Sequence, residues 1–380
     1  GVAINFTIGE DGIFRKAQEG ANAYQNASQN EKIELDKISN YIDNYTNENK
    51  SDEEVDEIES TLEIVTGEEK TNTEVNDKYG NKVVVPAGFK IINPDEDVTK
   101  GIIIQDVQAK NDSSKGNEFV WIPVGKVYID VSGTYKEIKF GRYIWDEEGT
   151  PILIQEARDY LSEKELKENG NEEYSFKELL KTTQSDNTKA KDIESFVLNT
   201  LENWGFYIGR YEAGDPTATT DRNRQSQVEA IPVIKKGQYP YNYVTEDDSS
   251  RLSQLIYENS DLVNSFAWDT TIIYIQTLGN KEDSKDYSIQ DGTSIISNEK
   301  PVLTGENVLL NTETEDIQCN IYDLCGNTAE WSTETGISEE KCITRRGGRY
   351  ISNAFVTSSR LIDVVYSKGV NCSFRIILYL

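Results

Sequence analysis

Through roughly the first sixty positions, apolar residues recur near helical spacing on a polar background. Phe14, Ala17, Ala21 and Tyr24 are followed by Ile33, Ile38 and Ile42, and later by Val55, Ile58, Leu62 and Val65. A thin apolar stripe with wide polar faces predicts a solvated helical stalk or helical hairpin, broken around residues 44–52 and stopped at Gly67. Residues 68–78 are polar and charged and read as a linker. Beyond them the pattern changes. Residues 81–92, 100–109 and 117–131 are β-branched and aromatic runs bounded by turn residues, which predicts strands of a new domain. Residues 152–201 are mixed and suggest two or three short helices. Residues 251–262 and 268–278 have helical spacing, with Leu252, Leu255, Ile256 and Leu262 facing one core and Trp268, Ile272, Ile275 and Leu278 another. Residues 281–315 are polar and read as surface loops. The last eight residues are nearly all apolar, as in a strand buried on both faces. The expected organisation is a helical stalk over 1–67, a linker over 68–78 and an α+β domain over 79–380.

Charge and composition narrow the chemistry. The formal net charge is −28, which would repel nucleic-acid phosphates. There is no histidine, so imidazole catalysis and histidine-ligated metals are excluded. Cys319, Cys325, Cys342 and Cys372 all lie near the C-terminus without a CxxC pair, which argues against zinc. Disulfides and buried free thiols both remain open. Paired carboxylates such as Asp247-Asp248 are expected by chance in so acidic a chain, and no glycine-rich phosphate loop is present.

One stretch near the end is densely patterned. Ile321, Tyr322 and Leu324 approach a turn at Gly326-Asn327, two residue types that tolerate positive φ. Ala329 and Trp331 then alternate with polar neighbours. Gly347-Gly348 permits close approach of two backbones. The order Y-D-L-x-G-N-x-x-E-W over 322–331, R-x-G-G over 345–348 and F-R at 374–375 resembles the formylglycine-generating enzyme family. So do GFYIGRYEAG over 205–214, FAWDTTIIYIQ over 266–276, and a core strand at Trp121-Ile122-Pro123-Val124. The resemblance implies a C-type-lectin-like fold. It also implies a calcium ion held by the side chains of Asp323 and Glu330 and the carbonyls of Gly326 and Thr328, oxygen ligands that suit calcium. The plain alternative is that Asp323 and Glu330 cap the turn by hydrogen bonds. Where that family has two active-site cysteines, this chain has Ser352 and Thr357. Hydroxyls neither hold a soft metal nor cycle through thiol redox states, so no copper and no such activity are expected.

The opening GVAINFTIGEDGIFRKAQEGANA resembles the segment that follows the apolar core of Gram-positive prepilin-type helices. No apolar run reaches the ~20 residues that span a bilayer. The resemblance implies a pilin-like helix anchored to a membrane or pilus through a segment upstream, and display on a Gram-positive cell surface.

Between the double glycine and the terminal strand, residues 349–372 have neither helical nor strand periodicity, yet are rich in apolar and aromatic side chains. That composition suits an exposed contact surface. The segment contains no Glu, Gln, Met or Trp, and lysine only at Lys368. It resembles the variable proteins of diversity-generating retroelements, in which a lectin-like scaffold carries a diversified segment around a constant island, here Thr357-Ser358-Ser359-Arg360. The implied contacts are Tyr350, Ser352, Asn353, Phe355, Leu361, Asp363, Val365, Tyr366 and Asn371. The implied scaffold residues are Trp331, Gly347, Gly348, Arg360, Phe374 and Arg375. The expected function is non-enzymatic: a surface-displayed, adhesin- or receptor-type protein that binds an external protein or glycan. The alternatives are a formylglycine-generating-type catalyst with an altered site and a structural minor pilin.

Overall fold

The computed structural model describes residues 58–108, 113–163, 176–178, 193–218, 229–291, 301–306, 310, 314–336, 342–349, 355–364, 366–369 and 371–380. All of these belong to one compact unit, Val55–Leu380. Most of the expected stalk, and with it the pilin-like helix, lies outside the described residues.

The apolar runs assemble into a six-stranded antiparallel sheet. Its order is Ser260–Leu262, Ile376–Leu378, Gly205–Gly209, Glu118–Pro123, Ile103–Asp106, Phe89–Ile91. The C-terminal strand thus sits inside the sheet with all three residues buried, which is why its sequence is continuously apolar. Cross-strand partners show how the two faces are filled. Trp121 lies opposite Tyr207, their rings 4.9 Å apart. Phe206 points the other way and meets Phe196 of the helix Ile193–Asn203 at 5.3 Å. Phe140 joins Phe196, Phe206 and Phe266 at 5.8 to 6.1 Å. Each such ring pair adds about 0.5–1.5 kcal/mol beyond its area burial.

A second sheet carries the patterned C-terminal stretch. Its path runs Phe176–Glu178, Ala329–Gly336, Cys342–Arg346, Arg360–Val364, and Cys372–Phe374 pairs in parallel with Ala329–Gly336. The helix Ser265–Leu278 has Asn264 as its N-cap, accepting from the Ala267 amide, and it packs against strands of both sheets. Among the described residues no helix is long and apolar enough to cross a membrane.

Three expectations change. The linker stretch contains a strand, Thr73–Asn76, paired with Lys82–Val85. Val75 and Asp77 there are buried, Asp77 accepting from the amides of Tyr79, Asn81 and Val98. Polar residues at a linker's spacing here satisfy a folded hairpin. The predicted helix over 251–262 ends early: the helix is Glu246–Gln254, and Ser260–Leu262 is a strand. The Ser260 hydroxyl accepts from the Tyr257 amide and lies 2.6 Å from the Ser253 carbonyl, closing the turn between them. Short apolar runs do not distinguish the two periods. The stretch 281–315 is not all surface, because Tyr287, Ser288 and Leu310 are buried.

Candidate functional site

The G-N turn is built by backbone geometry that few residues accept. Cys319 and Asn320 have φ of 47° and 65° between the paired residues Gln318 and Ile321, as a two-residue hairpin loop with matching twist requires. Asp323 and Asn327 follow with φ of 57° and 60°. Gly347 (φ 72°) and Gly348 press against this turn. A Cβ on Gly348 would lie 2.5 Å from the Cys325 carbonyl oxygen, and the Gly348 amide donates to that oxygen at 2.6 Å. The double glycine is therefore a close-approach site.

Buried carboxylates hold the turn from inside. Asp316 Oδ2 accepts from the amides of Cys325 and Gly326 at 3.0 and 2.8 Å, and Tyr287 Oη donates to Oδ1 at 2.7 Å. Glu212 accepts from Asn327 Nδ2 at 2.6 Å and from the Thr328 amide at 3.0 Å. Glu330 takes Arg375 on both carboxylate oxygens, with Nε at 2.9 and 3.0 Å. Arg375 also donates to the carbonyls of Gly209 and Tyr322, each at 2.9 Å, tying the turn to the central sheet. Glu212, Asp316, Asp323 and Glu330 are each at most 1% exposed around this arginine. Burial first, and the charge of Glu330 second, push Glu212 up to about 8. Burial and the charges of Glu212 and Asp316 push Asp323 well above the carboxylate range. Asp323 Oδ2 accepts from the Gly305 amide at 3.3 Å, while Oδ1 has no hydrogen-bond partner.

This geometry tests the expected calcium ligands. Of the expected side-chain ligands, Glu330 is committed to Arg375 on both oxygens. Of the two expected carboxylates, only Asp323 offers an unengaged oxygen. The set does not fit an ion bridging Asp323 and Glu330, because the Arg375 guanidinium already supplies the positive charge there. Among the described residues no group of three or more acidic or thiol side chains is arranged to hold a metal.

A second buried ionic cluster lies beneath the strand Arg360–Val364. Glu334 accepts from Arg142 and Arg360 on Oε1 at 3.1 and 2.8 Å and from Arg346 on Oε2 at 2.9 Å. Asp269, on the helix Ser265–Leu278, takes Arg346 on Oδ1 at 2.6 Å and Arg360 on Oδ2 at 2.7 Å. Burial alone would raise Glu334, but Arg360, Arg346 and Arg142 hold it down to about 2. The preceding residue on that helix, Trp268, donates from Nε1 to the Thr357 carbonyl at 3.1 Å. The amides of Thr357 and Ser358 donate to the carbonyls of Gln290 and Ser288 at 3.2 and 3.0 Å, and Arg346 Nε donates to the Ser359 carbonyl at 3.1 Å. The whole stretch 357–360 is thereby fastened to the body.

The residues on either side of that stretch are presented differently. Arg360–Val364 pairs only with Cys342–Arg346 among the described strands. Arg360 points inward to the ionic cluster, so Leu361 and Asp363 lie on the opposite face. Both are half-buried, and Asp363 pairs with Arg345 at 2.7 Å. Phe355 is half-buried and Tyr366 is 75% exposed. Asn371 is packed rather than presented: it is 9% exposed, and its carbonyl accepts from the Ala329 amide at 3.0 Å. Its place beside the parallel strand Cys372–Phe374 makes it part of the frame. Tyr350, Ser352, Asn353 and Val365 lie outside the described residues. The expected scaffold residues Trp331, Gly347, Gly348, Phe374 and Arg375 are all buried. Thr357 is fully buried with an unpartnered hydroxyl.

Cys319, Cys325 and Cys372 are free thiols. Burial pushes Cys319 up to about 12 and Cys325 well above the ordinary thiol range, so neither is a ready nucleophile. Sequence reasoning missed Glu212, Asp316, Arg142 and Arg346. Glu212 carried one usable signal, a lone carboxylate that follows a strand of five buried residues. The others find their partners only through the fold.

No family model matches the chain, and none of the curated proteins does. Among solved structures, it is similar to PvdO from Pseudomonas aeruginosa, at 11% identity over 47% of this chain and 82% of that one, with a TM-score of 0.29. Treponema denticola variable protein 1 is 11% identical over 70% of this chain and 96% of its own, with a TM-score of 0.27. The Major Tropism Determinant M1 variant is 10% identical over 86% of each chain, with a TM-score of 0.27. At these TM-scores the likeness is distant, and the α+β architecture rests on the strand order given above.

Proposed function

We propose that this protein is a non-enzymatic binding protein, displayed at a cell surface, whose lectin-like domain offers residues 349–372 to an external protein or glycan. One observation carries the reading. Within a single short segment, residues 357–360 are fastened from all sides while Leu361, Asp363 and Tyr366 are turned away from those fastenings. A frame that spends buried arginines, a Trp268 hydrogen bond and a double-glycine contact on holding a half-exposed strand edge suits a surface that changes while its support does not. The segment's composition, without Glu, Gln or Trp, supports diversification of the presented positions, with Lys368 as a position held fixed. The proposal includes an upstream attachment to a membrane or pilus. It includes no bound metal at the G-N turn, where Arg375 supplies the cation.

The experiment is a saturation library over 349–372, displayed on yeast and sorted for folded protein with a conformation-sensitive antibody. Positions 361, 363 and 366 should accept nearly every residue type, and 357 and 360 almost none. Uniform tolerance, or intolerance at 361 and 366, would overturn the proposal.

A further inference from the structure

The presented edge carries an arginine that makes no ion pair among the described residues. Arg345 is engaged: it pairs with Asp363 at 2.7 Å, lies 2.8 Å from Cys372 Sγ, and covers the Trp331 ring at 5.4 Å. Arg349, at the start of the segment, differs. Among the described residues its side chain makes no ion pair and no hydrogen bond, and its Nε is shut off from water without a partner. Its guanidinium rests on the Phe355 ring, 4.8 Å from the centroid. This is conspicuous in a chain with 67 acidic and 39 basic residues. Partial burial, and then the like charge of Arg345, push the Arg349 pKa down, and the charge of Asp363, already paired with Arg345, offsets this only in part. An arginine nonetheless keeps its proton at any working pH, so that cost stands until an anion arrives.

We propose that Arg349, held in place by Phe355, anchors one carboxylate of a protein ligand: an Asp or Glu side chain flanked by apolar residues. The inference rests on the binding surface proposed above and names the chemistry that surface selects. A stacked guanidinium keeps its planar fork fixed, and that fork matches a carboxylate with two parallel hydrogen bonds. Phe355, Leu361 and Tyr366 supply apolar and aromatic surface along the same segment. Aromatic residues around an arginine are the usual composition of protein-binding hot spots. A sulfated or phosphorylated polymer needs a row of cations and would meet the field of a chain with net charge −28.

The test selects a displayed random-peptide library against the full chain, then titrates the recovered peptides. They should share an acidic residue beside apolar ones. Arg349→Gln should weaken them roughly tenfold or more with the unfolding midpoint unchanged, and Arg349→Lys should restore only part of the loss. Amidating the peptide's acidic side chain should cost about as much and abolish the sensitivity to Arg349→Gln. Peptides without an acid, or affinities indifferent to Arg349→Gln while Leu361→Ala and Tyr366→Ala still weaken them, overturn this inference and leave the binding surface standing. Indifference to all three substitutions, or a library that yields no binder, overturns both.

Discussion

The two buried ionic clusters are built from the same side-chain types in opposite proportion. Beneath the presented edge, Arg142, Arg346 and Arg360 share Asp269 and Glu334, and both carboxylates are fully engaged. At the G-N turn, Glu212, Asp316, Asp323 and Glu330 surround Arg375, and Asp323 keeps an oxygen without a partner. The first cluster is cation-rich and bridges a helix and three strands of the second sheet environment. The second is carboxylate-rich, and backbone amides do much of the work that cations do in the first. A buried charge is tolerable only when paired or hydrogen-bonded. The comparison shows two ways of meeting that requirement, and they should fail differently.

The largest effect belongs to the carboxylate-rich cluster. Arg375→Met removes its cation and leaves Glu330 without its partner. The expected loss is about 3–5 kcal/mol in a denaturant titration, together with loosening of the G-N turn, since the carbonyls of Gly209 and Tyr322 lose their donor too. Added calcium should not restore the lost stability. Recovery by calcium would show that the carboxylates prefer a metal to the arginine. Glu334→Gln ranks next, at roughly 2–4 kcal/mol, because Asp269 still answers Arg346 and Arg360. A loss as large as that of Arg375→Met would show that the arginine surplus is the costlier state to hold.

The clusters also respond to pH with opposite sign. Glu334 is held down to about 2 in the folded protein against an ordinary value of 4.5. Its contribution is present above about pH 4.5 and disappears as the pH falls toward 2. Glu212 is raised from 4.5 to about 8. The folded state holds that proton more tightly than the unfolded chain, so its contribution is complete below about pH 4.5 and fades as the pH rises to 8. Glu212→Gln should flatten the alkaline limb of the stability profile by on the order of a kcal/mol or more and leave the acid limb unchanged. Glu334→Gln should do the reverse. A profile in which both substitutions flatten the same limb would dissolve the distinction.

What the sequence discloses follows from how local each signal is. The terminal strand, the strands at 118–123 and 205–209, the double-glycine contact and the helix around Trp268 were readable because period, turn chemistry and steric need all lie within a few residues. Thr357-Ser358-Ser359-Arg360 was singled out by resemblance alone, whereas its bonds to Trp268, Asp269 and Arg346 come from elements far away in the chain. The ionic clusters were not legible. Arg142 meets Glu334 across 192 positions and Asn327 meets Glu212 across 115, and no periodicity marks a pairing at such distance. In a chain with 67 acidic residues, the few that are buried look like the many that are not. Asn371 misled for a related reason: it is a polar residue beside Cys372, but its backbone belongs to the parallel pairing with Ala329–Gly336.

The smallest expected effect is also the sharpest contrast with the clusters. Tyr366 is 75% exposed, more than any other large apolar or aromatic side chain described. Tyr366→Ala should change folding stability by less than about 0.5 kcal/mol, as surface substitutions away from special features do. If the ring served the fold, its loss would cost more than that, and the burial would have to come from this chain's own surface. If it serves a ligand, the same substitution should leave unfolding unchanged and weaken a bound peptide by more than about 1 kcal/mol. Arg375, with no exposed surface, should show the reverse order, with a large stability loss and no selective loss of binding in whatever fraction remains folded. Measured on the same preparations, the two substitutions separate the frame from the face it carries.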